Sequence, residues 1–263
     1  MKALFIEQTE GQPGKIYCPL RIKSVPDPTG SVVVQILAAA LNHRDLFIRQ
    51  GLYPGIDANC PLGADGVGIN LATKERVLII PGVGWKEARS APEGRYLILG
   101  GTKGAPGGTL AEKIALSAEQ VVPCPDHLNN VQAAALPLAG LTAYRALYTK
   151  GQVQKGDKVL ITGIGGGVAL MAAQLAIAAG ADVYVTSGSD EKLKKAKELG
   201  VKGSINYKTT DWAKQLKGIV DGQLDVVIDS SGGNIVEMVT PLLKQGGIIV
   251  SVSRISKGLS NLG

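Results

Sequence analysis

The sequence predicts an α/β fold in which a doubly wound parallel sheet follows a β-rich N-terminal part. From Lys158 onward, short apolar or β-branched segments alternate with helical segments, which is typical of a parallel sheet covered by helices on both faces. Before residue 123, strand candidates are separated by turns rich in Pro and Gly. The chain of 263 residues is long enough to bury the cores of two modest domains.

The predicted division places one domain at residues 1–122 and a second at residues 123–263. Strands are predicted in the first domain at Ala3–Ile6, Val32–Leu37, Arg76–Ile80 and Leu110–Leu116. Two helical segments follow, Asn130–Leu136 and Thr142–Thr149, with Pro137 and Gly140 between them. The alternating part then has predicted strands at Lys158–Thr162, Asp182–Thr186, Gly203–Asn206, Asp225–Asp229 and Gly247–Val252, and predicted helices at Val168–Ala179, Glu191–Leu199, Trp212–Ile219 and Ile235–Leu243.

Composition and charge exclude several classes of function. The 28 basic residues exceed the 22 acidic ones, for a net charge of +6, but they are spread along the chain, which argues against nucleic acid as a partner. The three isolated cysteines indicate a reducing compartment rather than a disulfide framework. Because Glu7 interrupts the first apolar residues and no apolar run reaches membrane-spanning length, we expect a soluble, cytoplasmic protein without a membrane partner.

A glycine-rich turn joins the first predicted strand of the alternating part to its helix. The strand residues lead directly into Gly163-Ile-Gly-Gly-Gly-Val-Ala169. Glycines let the backbone turn tightly and approach a pyrophosphate, and the helix N-terminus offers unpaired N–H groups and a positive dipole end. A flexible loop would also be glycine-rich, but the strand before this turn and the helix after it predict a Rossmann-type dinucleotide site. Its binding residues are Gly163, Gly165, Gly166, Gly167 and Val168.

The end of the second strand favours NADPH over NADH. Enzymes that use NAD usually place an acid there to hold the ribose diol, whereas this strand ends in Thr186-Ser-Gly-Ser189. Ser187 and Lys192 are therefore candidates for a 2′-phosphate. Asp190 and Glu191 fit better as the N-cap and first turn of the next helix. The alternative is that Lys192 is an ordinary solvated helix residue.

Several motifs, in order along the chain, resemble the medium-chain dehydrogenase/reductase superfamily and, within it, the zinc-independent branch similar to quinone oxidoreductases. The resemblance implies a GroES-like N-terminal domain before the Rossmann-type domain. The matching segments are Leu41-Asn-His-Arg-Asp-Leu46, Arg49-Gln-Gly-Leu-Tyr-Pro54, Pro61-Leu-Gly-Ala-Asp-Gly-Val-Gly68, Gly108-Thr-Leu-Ala-Glu112, Leu138-Ala-Gly-Leu-Thr-Ala-Tyr144, the turn at 163–169, and Ser204-Ile-Asn-Tyr207.

The resemblance also implies that zinc is absent. Zinc-dependent relatives carry Cys, a His-Glu pair and Cys at the positions of Asn42, Ala64-Asp65 and Leu138. Asn, Ala and Leu supply neither thiolate nor imidazole, so we expect no metal site. The two histidines, His43 and His127, are isolated and are interpreted as structural or surface residues.

Without zinc, the resemblance implies transfer of a hydride from NADPH to a small-molecule acceptor, a quinone or an α,β-unsaturated carbonyl. Asn42, Asp45 and Tyr53 would line the substrate side. Tyr53 would donate a hydrogen bond to the acceptor carbonyl, and Asp45 would organise its loop; the alternative for Tyr53 is an ordinary loop aromatic. Thr142 would contact the nicotinamide, and Tyr207 would join the 2′-phosphate site.

Two departures from the family keep other functions open. The segment Ile69–Glu75 is shorter than in relatives, and relatives continue beyond the position of Gly263 with the last strands and the edge used for homodimers. We therefore expect the second domain to lack its last strands and its dimer edge. The alternatives are a catalytically impaired NADPH-binding or regulatory protein and an enoyl-thioester reductase.

Overall fold

The computed structural model describes residues 1–209, 211–220 and 222–252. The chain divides into two compact units, Met1–Leu138 and Ala139–Gly263. Residues 123–138, which the sequence division assigns to the second domain, pack with the first unit. Within the described residues no helix is both long and apolar enough to cross a bilayer.

The first unit is built on a five-stranded antiparallel sheet. Its strands are β3 (Val32–Ala40), β4 (Asp65–Asn70), β5 (Arg76–Ile79), β8 (Lys113–Leu116) and β9 (Val121–Pro123), in the order β8-β3-β4-β5-β9. Smaller pairs are formed by β1 (Lys2–Ile6) with β2 (Leu20–Ser24), and by β6 (Gly82–Val83) with β7 (Leu97–Ile98). Two helices complete the unit, α1 (His43–Arg49) and α2 (Asn130–Ala134).

Alternating residues of this sheet build two cores. In β5, Val77 and Ile79 pack with Val34 and Leu99 on one face, while Leu78 faces a second cluster that includes Ala133 of α2. This alternation is a direct consequence of the two-residue period of a strand. The segment 71–75 forms a short turn that pairs β4 with β5. The β-rich first domain predicted from the sequence is confirmed.

The second unit is a five-stranded parallel sheet. Its strands are β10 (Lys158–Ile161), β11 (Asp182–Ser187), β12 (Gly203–Asn206), β13 (Leu224–Asp229) and β14 (Leu243–Ser251), in the order β12-β11-β10-β13-β14. Its helices are α4 (Gly167–Ala178), α5 (Asp190–Glu198), α6 (Trp212–Ile219) and α7 (Ile235–Val239). From β10 the chain adds β11 and then β12 on one side, and it then crosses back to add β13 and β14 on the other side. The C-terminal end of β10 is therefore the switch point at which such sheets bind ligands.

Helices cover both faces of the parallel sheet. Val159 and Ile161 of β10 pack against the alanines of α4, whereas Leu160 packs with Trp212 and Leu216 of α6. The small side chains of α4 let this helix approach the strands closely. The predicted doubly wound sheet is therefore confirmed. The end of the chain, on which the expectation of missing strands and a missing dimer edge rests, lies outside the described residues.

Four details correct the predicted elements. Pro137 and Gly140 do not separate two helices, because α3 spans Pro137–Tyr144; proline is tolerated in the first turn, where its missing N–H is not needed. The predicted helix Thr142–Thr149 continues from there as a π-helical turn, Arg145–Lys150. The predicted strand Leu110–Leu116 is hydrogen-bonded as β8 only from Lys113. The predicted helix Ile235–Leu243 ends at Val239, with a 3₁₀ turn at Thr240–Leu242 before β14.

Candidate functional site

In the first unit, Asn42, Asp65 and Leu138, which the resemblance predicts at the positions of zinc ligands, meet at one carboxylate. Asp65 is 1% exposed at the start of β4. Its Oδ2 accepts a hydrogen bond from the Asn42 side-chain amide at 2.9 Å, and its Oδ1 accepts one from the Leu138 backbone N–H at 2.7 Å. Burial raises the pKa of Asp65 to about 6, against these two hydrogen bonds, which lower it. We call Asp65, Asn42 and Leu138 the Asp65 centre.

Helix α1 presents Asp45 beside that centre. Asn42 precedes the helix, and the carboxylate of Asp45 accepts a hydrogen bond from the Asn42 backbone N–H at 2.8 Å. This contact satisfies one of the N–H groups that a helix start leaves unpaired. Asp45 is buried, and burial raises its pKa. In this geometry Asp45 holds the start of α1.

Tyr53 is half-buried and lies under a cation. The guanidinium carbon of Arg44 is 4.8 Å from the centre of the Tyr53 ring, and Arg44 Nη2 donates to the Gly100 carbonyl at 2.8 Å. Arg44 is only 6% exposed, and its Nε and Nη1 have no hydrogen-bond partner within the described residues. Arg44 thus fixes the ring position of Tyr53 through a desolvated cation–π contact.

In the second unit, the glycine turn has the geometry of a phosphate loop. Gly163 and Gly165 have φ of +72° and +108°, a region that side chains rarely adopt, and Gly166 is the N-cap of α4. Val168 is the second residue of that helix. The turn is anchored to β11 by a hydrogen bond from the Gly163 N–H to Thr186 Oγ1 at 3.2 Å. Its backbone therefore faces the switch point of the sheet.

The structure places Lys192 over this turn. A side chain at Gly165 would bring its Cβ to 2.6 Å from Lys192 Cδ and 3.2 Å from Lys192 Nζ. Lys192 reaches there from the first turn of α5, where Ser189 is the N-cap. The N-cap is thus Ser189 rather than the predicted Asp190, because the Ser189 hydroxyl accepts from the Lys192 N–H.

Hydroxyl groups and a second lysine surround the end of β11. Ser187 is 4% exposed, and its Oγ accepts a hydrogen bond from the Ser189 N–H at 3.2 Å. A Cβ at Gly188 would lie 2.7 Å from the Tyr207 hydroxyl and 2.8 Å from Lys208 Cε, so both side chains cross this glycine. Lys208 was not predicted from the sequence, although it follows Tyr207 directly.

The two nearby acids are engaged elsewhere. Asp190 accepts a hydrogen bond from the Asn206 amide at 2.8 Å, and Glu191 forms an ion pair with Lys195 at 2.8 Å. The hydrogen-bonding groups that cross Gly188 are therefore a phenol and an ammonium group, whose chemistry suits an anion.

Thr142 lies in the second half of α3, not at a helix start as predicted. It shares a face of that helix with Ala139, because the two are three residues apart. The Cβ of Ala139 is 3.4 Å from where a Cβ of Gly167 would stand. Thr142 is therefore on the side of α3 that packs on the turn, one helical turn farther along.

A buried aspartate at the switch point was also missed. Asp229, 1% exposed at the end of β13, accepts hydrogen bonds from Thr162 Oγ1 at 2.8 Å and from the N–H groups of Ser231 and Gly232 at 3.0 and 3.1 Å. The Thr162 hydroxyl in turn accepts from the Ser230 N–H at 3.0 Å. This network, the Asp229 network, holds the loop after β13 beside the glycine turn. An acid that follows the apolar run Val226–Ile228 and precedes Ser-Ser-Gly-Gly was its signal in the sequence.

Among the described residues, metal ligands do not gather in either unit. Across residues 1–209, 211–220 and 222–252, no group of three or more His, Cys, Asp or Glu side chains could hold a metal ion. His43 and His127 are exposed. The Asp65 centre offers one carboxylate, and both of its oxygens already accept hydrogen bonds.

Comparison with known families matches both halves of the chain. The model described as alcohol dehydrogenase GroES-like domain matches residues 28–126, and the one described as zinc-binding dehydrogenase matches residues 167–262. A model for the C-terminal part of 3-oxoacyl-[acyl-carrier-protein] synthase III also matches residues 108–177. That range crosses the boundary between the two units and ends inside α4, so it does not correspond to a compact part of this fold.

Individual proteins give the same result. A zinc-type alcohol dehydrogenase-like protein from Leptosphaeria maculans is 39% identical over 94% of this chain and 76% of its own length. A second such protein, from Schizosaccharomyces pombe, is 37% identical, but the chain spans only 58% of its length.

Two solved structures extend the comparison. An NAD-dependent alcohol dehydrogenase superposes with a TM-score of 0.86 at 32% identity, over 100% of this chain and 80% of that one. The quinone oxidoreductase from Thermus thermophilus, also solved in complex with NADPH, superposes with a TM-score of 0.74 at 27% identity, over 99% of this chain and 77% of that one. This chain therefore belongs to the medium-chain dehydrogenase/reductase superfamily and is an oxidoreductase of that type.

Proposed function

We propose that this chain is a zinc-free, NADPH-dependent reductase that transfers a hydride to a quinone or an α,β-unsaturated carbonyl. The observation that carries the proposal is the end of β11, where Lys192 lies over the glycine turn and Tyr207 and Lys208 cross Gly188, next to the buried Ser187. We assign this region to the adenosine side of the cofactor. The T. thermophilus quinone oxidoreductase, which binds NADPH, has the same fold.

The charges at this end of the sheet favour a 2′-phosphate over a ribose diol. A carboxylate that accepts hydrogen bonds from a diol would repel the phosphate of NADPH. Here the acids are paired with Asn206 and Lys195, while Lys192 lies over Gly165 and Lys208 crosses Gly188. Two ammonium groups and the hydroxyls of Ser187 and Tyr207 fit an anion, and NADPH is therefore the cofactor that we propose.

The Asp65 centre supports zinc-free chemistry. Structural and catalytic zinc sites use thiolate, imidazole or free carboxylate ligands. At the matching positions this chain presents an amide, a hydrogen-bonded carboxylate and a backbone N–H. These groups satisfy one another, and their role is to orient the Asn42 amide rather than to hold a cation.

NADPH, when bound, supplies the hydride. The chain's own residues bind the cofactor and the acceptor, orient them and polarise the acceptor carbonyl. Two electrons and one hydrogen pass to the acceptor, NADP⁺ is released, and one proton from solvent completes the reduced product. Negative charge develops on the acceptor carbonyl oxygen, where the Tyr53 hydroxyl would donate a hydrogen bond. Arg44 fixes the Tyr53 ring, and Asp65 fixes the Asn42 amide. Tyr53 and Asn42 are thus the proposed catalytic residues, and Asp45 and Asp65 are positioning residues.

Steady-state kinetics with NADPH and NADH test the proposal. The purified chain is assayed with a panel of quinones, enones and an enoyl thioester, and oxidation of the cofactor is followed by absorbance. We expect NADPH to be preferred in kcat/KM, and Lys192→Met to reduce that preference about tenfold through loss of one charge-assisted contact. Lys194→Met, an exposed neighbour on α5, is the matched control and leaves the preference unchanged.

Three results would count against parts of the proposal. NADPH binding in calorimetry without turnover of any acceptor would identify a binding or regulatory protein instead. Turnover of the enoyl thioester alone would identify the chain as an enoyl-thioester reductase instead of a reductase of quinones and simple enones. An equal preference for NADH would remove the role given to Ser187, Lys192 and Tyr207.

A further inference from the structure

A cavity of about 310 Å³ opens in the first unit beside Tyr53. Three chain segments build it, and backbone hydrogen bonds tie them together: the Lys103 N–H donates to the Gly55 carbonyl at 2.8 Å, and Ile56 forms a β-bridge with Thr102. The Thr102 hydroxyl donates to the Ile98 carbonyl at 2.7 Å. The cavity is therefore part of the folded unit. It is lined by Tyr53, Pro54, Gly55, Arg95, Tyr96, Leu97, Ile98, Thr102 and Lys103.

The walls of this cavity are aromatic and apolar. Tyr96 packs edge-on against Trp85, with ring centres 5.3 Å apart, and lies over Gly82, where a Cβ would come within 3.1 Å of its ring. Leu97 and Ile98 are half-buried in β7. Such walls suit a flat, apolar body. A volume at the low end of the range for ligand sites, roughly 300–1,000 Å³, restricts that body to about one ring.

Two cations stand at the rim of the cavity. Arg95 and Lys103 are exposed, and neither forms an ion pair with any residue that the structure describes. Arg95 Nη2 donates to the backbone carbonyl of Lys103 at 3.2 Å, which holds the Arg95 side chain against the segment that carries Lys103.

The nearest acid in sequence does not neutralise this rim. The Glu93 carboxylate accepts hydrogen bonds from the backbone N–H groups of Lys86, Glu87 and Ala88, at 2.9, 2.8 and 2.6 Å for the closest contacts. Asp57 accepts one from the Asn59 N–H at 2.9 Å. Both carboxylates are therefore turned to backbone donors, and the rim keeps two free positive charges.

We propose that this cavity is a subsite for the anionic substituent of the acceptor, so that the preferred substrates are small single-ring quinones or enones carrying a carboxylate. The inference rests on the proposed function, because Tyr53 lines the cavity and would donate to the carbonyl of the same molecule. The ring lies against Tyr53 and Tyr96, and the carboxylate lies between Arg95 and Lys103. The redox balance is unchanged: NADPH supplies the hydride, and solvent supplies the one proton that completes the reduced product.

A matched pair of quinones tests the subsite. The acceptors are a p-benzoquinone with an acetate side chain and the methyl ester of the same quinone, each with NADPH. We expect kcat/KM to favour the carboxylate about tenfold at low ionic strength, and less at high salt, because exposed charges are screened. The double variant Arg95→Met/Lys103→Met brings the ratio close to one by lowering kcat/KM for the carboxylate.

Binding of a redox-inert pair separates this inference from the proposed reaction. p-Hydroxyphenylacetate and its methyl ester are titrated against a Trp212→Phe variant, in which Trp85, next to Tyr96, is the remaining tryptophan. We expect the acid to bind about tenfold more tightly, and the double variant to lose this difference. Lys214→Met, an exposed lysine of α6, is the control and leaves it intact.

The outcomes are distinct. Preferential binding of the acid without reduction of either quinone supports the subsite and contradicts the proposed function. Reduction of both quinones at equal kcat/KM, with equal binding of the inert pair, overturns the subsite and leaves the proposed function standing. A preference that persists in the double variant also overturns it.

Discussion

The Asp65 centre and the glycine turn differ in the source of their polar groups: the centre is built around a buried side-chain carboxylate, and the turn is built from backbone N–H groups. The turn is made of backbone: Gly163 and Gly165 take positive φ, and the polar groups it offers are N–H groups at the start of α4. The Asp65 centre is made of contacts between groups that are 23 and 73 residues apart in the chain. The glycine turn thus offers backbone N–H groups to an anionic ligand, whereas the Asp65 centre already contains a buried carboxylate of its own.

This difference predicts different responses to mutation. A buried carboxylate is sensitive to pH, since its ionised form is penalised by desolvation. A backbone cradle is sensitive to added volume, since a Cβ occupies the space meant for a ligand. An isosteric change that removes the ionisable carboxyl should therefore affect stability most at Asp65. An added methyl group should affect cofactor binding most at the glycine turn.

The largest effect is expected at Asp65. Its pKa in the folded state is about 6, above the ordinary value of 3.8, because of burial. The folded state therefore binds the proton more tightly, so the stabilisation is complete below about pH 4 and is lost as pH rises through about 6, up to about 3 kcal/mol. Asp65→Asn does not ionise and should flatten this fall in the free energy of unfolding between about pH 4 and 7.

Urea unfolding at a series of pH values measures this slope. Fluorescence of Trp85 in a Trp212→Phe background reports on the first unit, where Asp65 lies. Asp126→Asn, a change at an exposed acid of the same unit, should retain the wild-type slope. Equal slopes in wild type and Asp65→Asn would show that the carboxylate is not held as the structure indicates.

The same contrast explains which features could be predicted from the sequence. The strands β10, β11 and β13 were predicted within one or two residues because each is a short apolar run whose neighbours are helices. β2 was missed although Leu20 and Ile22 alternate with Arg21 and Lys23, because the run is only five residues long and all five are exposed. Asp65 was noted only as a replaced zinc position, since its partners are distant in sequence and no local pattern joins them.

A methyl group at Gly165 is expected to weaken NADPH binding roughly a hundredfold, since a side chain at positive φ costs about 1–3 kcal/mol and the turn must also shift. The added Cβ of Gly165→Ala would meet Lys192 Cδ at 2.6 Å, which displaces the lysine as well. Isothermal titration calorimetry measures the Kd for NADPH. Gly218→Ala, in α6 with no atom within 4 Å of the new Cβ, should bind as wild type does. Wild-type affinity in Gly165→Ala would separate the turn from cofactor binding.

The Asp229 network combines features of both regions, because a buried carboxylate there supports the loop beside the glycine turn. Thr162 is fully buried and joins Asp229 Oδ1 to the Ser230 and Ser231 N–H groups. Thr162→Val keeps the shape but removes the hydroxyl that donates to the buried Asp229 carboxylate and leaves the Ser230 N–H without its partner. This loss should lower the free energy of unfolding by about 1–3 kcal/mol. Trp212 fluorescence in a Trp85→Phe background follows the second unit, and Thr149→Val, at a half-buried threonine outside the network, serves as the control.

Because a Cβ at Gly163 would lie 2.7 Å from Ser231 Oγ, the loosened loop should also lower NADPH affinity, though less than Gly165→Ala does. A loss of stability with unchanged affinity would mean that the network supports the sheet alone and that the turn keeps its shape without it.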